Sequence, residues 1–418
     1  MTAATRFRDV RMNPRPTVER LLPSEPVGNY SEHVARYGPP PANPLDQLVR
    51  WAGEVGLAGR GGAGFPLSRK LSAVAAGGRD AVLMVNWCDG DPTSVKDLAL
   101  AVASPHLVLD GAVTMAHALR ARRLIVAAHQ GSAILRLVAA AVAERPESAS
   151  VEILAVPPRF VASEASSLVS LANDGDARPL GRLVPIWEHG VDGRPTLVTN
   201  AETAAQLAVL AAVGSRSYAA VGDPSEPGTA LISVGGQVAR PGAYETATGV
   251  RLVEVLAAAG ATDCGWALVG GLGGGWIEVD RLARATFTTA ALRSAGVPRG
   301  VGSITLLGKG CVLAETSRAL AHLAEAGAGR CGPCMFGLPA IAGDMAALTA
   351  GDPDALARLN RRFPVIRMRG GCAHPDGAVA LARSAVAAVT GPLREHLGEH
   401  LRRGGCGAPD VLPLGARP

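Results

Sequence analysis

Aromatic residues are scarce in this 418-residue chain, at 4% of the total. That argues against the stacking platforms with which proteins bind single-stranded nucleic acid. A large excess of charge is missing too: the net charge is +5, and no basic run exceeds three residues. Neither a nucleic-acid stripe nor a polybasic membrane anchor is therefore expected. No apolar run reaches the ~18 residues of a membrane-crossing helix. The N-terminus, Met1-Thr-Ala-Ala-Thr-Arg6, lacks the apolar stretch and cleavage site of a signal peptide. Cysteines number seven, an odd count with three neighbours in one region, which favours metal ligands or free thiols over a disulfide framework. A soluble, cytoplasmic chain is the expectation.

Glycine and proline are plentiful, at 51 and 30 residues, and hydrophobic residues make up 48% against 18% charged. Such a chain is globular and rich in turns and backbone-built sites. Its length predicts two to four domains. Residues 1–45, with prolines from Pro14 to Pro44, read as an extended leader carrying one short helix near Tyr30–Tyr37. Over 46–222, short apolar strands (81–86, 123–127, 151–156) alternate with helices, including one near 98–119. This is the pattern of a mainly parallel α/β sheet. Residues 222–228 read as a linker, 229–300 as a compact β-rich unit with one helix, and 315–402 as a small helical bundle. Residues 403–418 read as a flexible tail, and the glycine-rich stretch 264–277 as turns.

Five segments carry chemistry. Gly56-Leu-Ala-Gly-Arg-Gly-Gly-Ala-Gly-Phe-Pro66, followed by Lys70, sets glycines where main-chain amides can approach a phosphate, with Arg60 and Lys70 supplying charge. A ligand-free loop is the alternative, and the spacing is not the dinucleotide fingerprint because no strand leads into it. Asn86, Asp89 and Asp91 follow a buried strand, where an open α/β sheet binds ligands, although an Asx turn would explain them as well. Ser163 and Glu164 open a helix and read as ordinary N-cap residues. Thr199 and Asn200 end another strand. Cys331-Gly-Pro-Cys334 with Cys372 offers three thiolates to a metal or cluster, a redox dithiol or structural thiols being the alternatives.

In this order, the segments resemble the FMN-carrying, NADH-binding subunit of respiratory complex I and the diaphorase subunits of hydrogenases and formate dehydrogenases. The family's Arg-Gly-Arg-Gly-Gly-Ala-Gly-Phe-Pro-Thr-Gly stands here as Ala58 to Ser68, its Asn-x-Asp-Glu-x-Glu-Pro-Gly-x-x-Lys-Asp as Asn86 to Asp97, and its Asn-Asn-x-Glu-Thr as Thr199 to Thr203. The resemblance implies an α/β fold: an FMN-binding Rossmann-like domain, a β-grasp-like domain of the soluble-ligand-binding type around Gly236–Gly242, and a C-terminal helical bundle. It places FMN against Gly61, Gly62 and Gly64, with Lys70, Asn86, Asp89, Thr199 and Asn200 around its ring and phosphate. Phe65 would face the adenine of NADH, Asp91 would hold the nicotinamide end, and Arg182 takes the place of a family lysine. The implied activity is hydride transfer from NADH to FMN, then single electrons through a 4Fe-4S cluster to a ferredoxin-like partner.

The sequence departs from that pattern at several places. The third cysteine of the family's Cys-x-x-Cys-x-x-Cys is Gly337, leaving His374, Cys406 or Cys311 as candidates for a remaining ligand. The family's paired glutamates are Glu164-Ala165, and an expected aromatic is Ala73. Each of the last two losses weakens nicotinamide binding by about 1–2 kcal/mol. Two other readings stay open: a non-catalytic scaffold, and a flavoprotein reduced by ferredoxin.

Overall fold

The computed structural model describes residues 11–12, 19–27, 29–78, 80–182 and 185–415. Strand β1 (Arg11–Met12) comes first, followed by helices α1 (Tyr30–Tyr37), α2 (Leu45–Glu54) and α3 (Leu67–Ala76). Strand β2 (Val82–Asn86) begins the first sheet. It continues through α4 (Lys96–Ala103), α5 (Pro105–Leu119), β3 (Arg123–His129), α6 (Ala133–Ala143), β4 (Val151–Val156), α7 (Ala165–Asp174), β5 (Thr196–Asn200) and α8 (Ala201–Ala219). All four strands are parallel, in the order β4-β3-β2-β5. The Val-Leu-Met-Val run of β2 is fully buried because helices cover both faces, which is why it reads as continuous rather than alternating.

The helix expected over 98–119 is two helices, α4 and α5, bent by 97° at Ser104-Pro105. A proline disfavours helical geometry in the residue before it and is well placed as the first residue of a new helix. Among the described residues no single helix is long and apolar enough to cross a membrane, though this bent pair passes on length and composition; nearly all of it is buried inside the protein.

The expected linker at 222–228 is instead a small hairpin, β6 (Gly222–Asp223) with β7 (Glu226–Pro227). Then come β8 (Thr229–Gly236), β9 (Gly242–Ala247), α9 (Leu252–Ala258), β10 (Trp266–Val269), β11 (Gly275–Glu278), α10 (Val279–Ala283), α11 (Thr289–Ser294) and β12 (Ser303–Leu306). They form a mixed sheet in the order β1-β9-β8-β12-β10-β11. Its last strand lies beyond the expected end at residue 300. The stretch 264–277 is a strand pair rather than turns: most of its glycines sit in the connection, leaving Trp266–Val269 and Gly275–Glu278 free to pair.

The leader belongs to both units. Arg11–Met12 adds a parallel strand to β9, and Leu21 and Leu22 are buried in the first core. Buried Glu245 of β9 accepts from the amides of Arg20, Leu21 and Leu22 at 3.0, 2.8 and 2.9 Å. The bundle has five helices, α12 (Val312–Glu325), α13 (Leu338–Thr349), α14 (Ala355–Ile366), α15 (His374–Thr390) and α16 (Arg394–Arg403). The expected tail packs back on it: Leu412 is 3% exposed, and buried Glu315 accepts from the amides of Val411 and Leu412 at 2.8 and 3.0 Å.

The two sheets are joined by buried charge. Glu202 of α8 lies 3.2 Å from Lys96 and 4.0 Å from Arg60, and accepts from the Leu231 amide of β8 at 3.1 Å. Removing one member of a buried ion group leaves its partners desolvated and unpaired. Glu202→Gln is therefore expected to lower unfolding free energy by about 3–5 kcal/mol. Glu152→Gln, which breaks the half-exposed pair with Arg123, should cost at most about 1 kcal/mol. Denaturant melts of the two variants check the contrast.

Candidate functional site

Strands β3 and β4 lie on one side of β2, and β5 lies on the other. The chain therefore reverses its winding between β2 and β5, and the crevice beyond their carboxyl ends is where such sheets bind ligands. Asn86 and Asn200 are the register partners at those two ends. Two sequence segments far apart in the chain thus meet at the switch point.

The glycine loop sits on the same crevice. Its base is closed by Gly59 N donating to Phe65 O at 2.9 Å and Leu67 N to Leu57 O at 2.8 Å. Between them, residues 61–65 are exposed, with Phe65 47% accessible. A Cβ on Gly61 would meet Asn200 Cβ at 3.4 Å, and one on Gly62 would meet Val301 at 3.6 Å. Gly62 and Gly64 adopt φ of +107° and +64°, which glycine takes without strain. The result is an open main-chain cradle between the two sheets, and it fits a flavin nucleotide held by backbone amides. Lys70 reaches the crevice from α3, its amine donating to Val198 O at 3.1 Å. Burial pulls its pKa below the usual lysine value. An anion at this place would reverse that penalty.

Beneath the loop the polar side chains are engaged with one another. Arg60 is buried; its guanidinium pairs with Glu226 at 3.1 Å and faces Glu202, while its amide donates to Thr203 Oγ1 at 2.9 Å. Arg299 pairs with Glu226 as well. Asn200 caps α8 by accepting from Glu202 N at 3.0 Å; its Oδ1 also accepts from Lys96 Nζ at 2.9 Å, and its Nδ2 donates to Asp97 at 3.1 Å. Lys96 lies 3.0 Å from Asp97 and 3.2 Å from Glu202. Burial opposes its charge, yet Asp97, Glu202 and Asp89 outweigh that and hold its pKa above the usual value. Burial, opposed by Lys96, pushes the Asp97 carboxyl up to about 6. Arg60 and Asn200 thus hold the cradle's shape, and Lys96, Asp97, Glu202 and Arg299 join the site residues as its support. Lys96 and Asp97 lie inside the second motif, but nothing in their local spacing shows that they meet Asn200.

The other expected contacts divide. Asn86 donates to Ser163 O at 2.7 Å, bringing the third segment into the crevice. Asp89, at φ +50°, accepts from Leu98 N at 3.3 Å. Asp91 accepts from Thr93 and, across to the second sheet, from Leu272 N at 2.8 Å. A side chain on Gly271, at φ +87°, would overlap the Asp91 carboxylate. Asp91 is therefore a joint between the two sheets. Glu164 caps α7, accepting from the amides of Ser166 and Ser167 at 2.9 and 3.1 Å. Arg182 turns toward the bundle, donating to Cys372 O at 3.2 Å and pairing with Asp376 at 2.7 Å. Thr199 is buried one residue before Asn200, so its side chain faces the opposite side of the sheet.

The three thiols come together in the bundle. Cys331 precedes a π-helical turn, Pro333–Gly337, that carries Cys334. Burial, reinforced by Cys331, raises the Cys334 thiol. Burial, opposed by the His374 amide and reinforced by Glu164, Cys334 and Cys331, pushes Cys372 up to about 11. The same neighbours place the thiols beside the Glu164 segment. At the position of the missing third cysteine, a Cβ on Gly337 would meet Ile366 Cγ1 at 2.8 Å, so an apolar side chain fills that space. The donor set fits an iron–sulfur cluster at three positions and is closed at this fourth. His374 Nε2 bonds Leu323 O at 2.8 Å, and its buried Nδ1 has no hydrogen-bond partner among the described residues. Cys311 and Cys406 instead lie together with His396 and His400, in a group that includes none of the three thiols. The spacing His396-x3-His400-x5-Cys406 was the signal for that group.

Two family models match the chain: the Nuo51 FMN-binding domain over residues 52–209, and the NADH-ubiquinone oxidoreductase-F iron-sulfur binding region over residues 314–396. The chain is 26% identical over 391 residues to the F subunit of NADH-quinone oxidoreductase of Mycobacterium tuberculosis, covering 87% of this chain and 86% of that one. It is 29% identical over 252 residues to the alpha subunit of the NAD-reducing hydrogenase HoxS of Cupriavidus necator, covering 56% and 42%. A crystal structure of an NAD+-reducing [NiFe]-hydrogenase superposes with a TM-score of 0.80 at 24% identity, over 94% of this chain and 68% of that one; it shares the fold.

The Ile366 plug makes a direct expectation. Gly337→Cys alone overpacks the turn and lowers stability by about 1–3 kcal/mol. Combined with Ile366→Ala, the loss should be smaller than the sum of the two single losses by at least about 1 kcal/mol. A double-mutant cycle in denaturant measures that coupling; additive losses would exclude the plug.

Proposed function

We propose that this chain, a divergent relative of the F subunit of NADH-quinone oxidoreductase and of NAD-reducing hydrogenase subunits, is a flavoprotein electron-transfer subunit. It takes hydride from NADH onto FMN and delivers single electrons through an iron–sulfur cluster to an acidic iron–sulfur partner of ferredoxin type. The observation that carries this reading is the meeting of the open glycine loop, Lys70 and the Asn86–Asn200 pair at one sheet crevice. FMN, when bound, supplies the conversion of a two-electron donor to one-electron steps.

The residues act as follows. Amides of Gly61, Gly62 and Gly64 and the ammonium of Lys70 hold the phosphate. Asn86 and Asp89 orient the ring, and Phe65 offers its exposed face to an adenine. Arg60 and Asn200 are positioning residues, because internal partners occupy both. Asp91 fixes the second sheet over the crevice. Cys331, Cys334 and Cys372 supply thiolates to the cluster. The mixed sheet supports a β-grasp-like assignment: a leading hairpin, β8–β9, is followed by a helix, and β8 pairs in parallel with the last strand β12. The absence of a single long apolar helix among the described residues fits the cytoplasmic placement we propose.

A second reading, reduction by an iron–sulfur protein without nicotinamide, is favoured by Glu164 and Arg182, whose charges serve a helix cap and the bundle. Anaerobic titration separates the readings. Full-length protein should carry about one FMN per chain, and NADH should bleach its yellow absorbance. A flavin that NADH leaves oxidised supports the second reading, and colourless protein that takes up no FMN leaves a scaffold. Lys70→Met should weaken FMN binding by roughly tenfold to a hundredfold, the worth of a charge-assisted hydrogen bond. Because an anionic phosphate favours the ammonium, wild-type affinity should fall as pH rises through the depressed pKa of free Lys70, and the variant should lose that dependence.

The surface next to the thiols supports this choice of partner. A groove of about 530 Å³ runs between the Cys331 turn and α14, lined by Pro333, Phe336, Arg361, Val365 and Arg369 among others. Phe336 is 71% exposed and Val365 60%. Arg361, Arg367 and Arg369 are exposed and have no carboxylate partner among the described residues. Apolar contact ringed by arginine suits a small acidic protein. Arg361→Glu with Arg369→Glu should slow electron transfer to an acidic ferredoxin about tenfold at low salt, and the difference should shrink at high salt as screening takes over. Stopped-flow rates at two ionic strengths provide the measurement.

A further inference from the structure

We infer that Cys311, His396, His400 and Cys406 form a second, closed metal centre that binds a single zinc ion and fastens the last helix to the bundle. The inference stands apart from the flavin and cluster assignments, and none of its ligands is one of the three thiols already described. The four ligand atoms all lie within 4.8 Å of one another. Cys311 Sγ is 3.2 Å from His396 Nε2 and 3.4 Å from His400 Nε2, and it also contacts the Cys406 thiol. Tetrahedral zinc with thiolate and imidazole ligands, at about 2.3 and 2.0–2.1 Å, holds its donor atoms at separations of this order. Such a set lies within the compass of one ion. Two sulfurs with two imidazoles select zinc over the hard cations that prefer oxygen.

The surroundings orient the ligands. His396 and His400 are one helical turn apart on α16, so they share a face. His400 Nδ1 lies 2.7 Å from Thr349 O. A carbonyl only accepts, so Nδ1 carries the proton and Nε2 turns its lone pair toward Cys311. Cys311 is the N-cap of α12, and its Sγ accepts from Ala314 N at 3.4 Å. Helix α16 ends at Gly404 in the left-handed conformation, from which the chain folds back to bring in Cys406. Both Cys311 and His400 are buried. The need for a fastening is visible as well: α16 buries only Leu397 and His400, too little apolar surface to dock a ten-residue helix firmly. On binding, zinc displaces the two thiol protons to solvent and meets both imidazoles as neutral bases.

The test uses full-length, untagged protein purified under reducing conditions. Metal analysis should find about one zinc per chain, whatever the flavin or iron content. X-ray absorption at the zinc edge should show a shell of two sulfurs and two nitrogens. His396→Ala with Cys406→Ser should lose that zinc, lower the melting temperature and leave FMN occupancy unchanged. Should the variant fail to fold, wild-type protein grown with cobalt provides the second measurement, through the intense thiolate-to-cobalt absorption of a tetrahedral site. Protein with no zinc and no cobalt band overturns the inference. So do zinc retained by the folded variant, iron in place of zinc at this set, and a Cys311–Cys406 disulfide in the reduced preparation.

Discussion

A chain of buried charges sets the geometry of the whole crevice. Lys96 joins Asp97, Asn200 and Glu202; Glu202 faces Arg60; Arg60 shares Glu226 with Arg299. These residues come from the start of α4, the β5–α8 junction, the glycine loop, the β6–β7 hairpin and the loop that leads into β12. Charges so deeply buried are tolerable only when each has partners, so the elements carrying them must meet in one arrangement. The arrangement explains why the loop offers main chain rather than side chain. Arg60, its most strongly charged residue, is already held from below, which leaves five exposed residues as a rigid-based cradle.

The same economy governs the contacts between the units. Asp91 and Glu164 occupy places where the family resemblance implies a nicotinamide contact, Arg182 takes the place of a family lysine, and each is engaged by the protein itself. Their roles here are cohesive: one joins the sheets, one caps a helix, and one ties the crevice to the bundle. The backbone cradle depends on few side chains, whereas a charged group already engaged by a helix cap or an ion pair must give up that partner to bind a ligand.

In the bundle, cysteines that look equivalent in sequence separate into two environments. Cys331, Cys334 and Cys372 gather beside the Glu164 segment, where Ile366 fills the space a fourth thiol would need. Cys311 and Cys406 pair with two histidines at the far end of the chain. Burial raises the Cys334 and Cys372 thiols, so ligation there is coupled to proton release.

Much is legible from residue order. Periodicity places β2, β3 and β4, the glycine punctuation locates the loop, and Glu164 reads as the helix cap it is, because these depend on contacts within a few residues. The break at Ser104-Pro105 is written locally too, but the longer apolar pattern around it masks it. What the tertiary structure alone decided were pairings across long separations: Arg60 with Glu226, Asn200 with Lys96, Asp91 with Leu272, and Cys311 with His396, 85 residues away. A sequence states which groups carry charge or a lone pair. Which of them a buried site brings face to face is set by chain closure, since the cost of desolvation is offset by a partner only once the sheets and the bundle have packed.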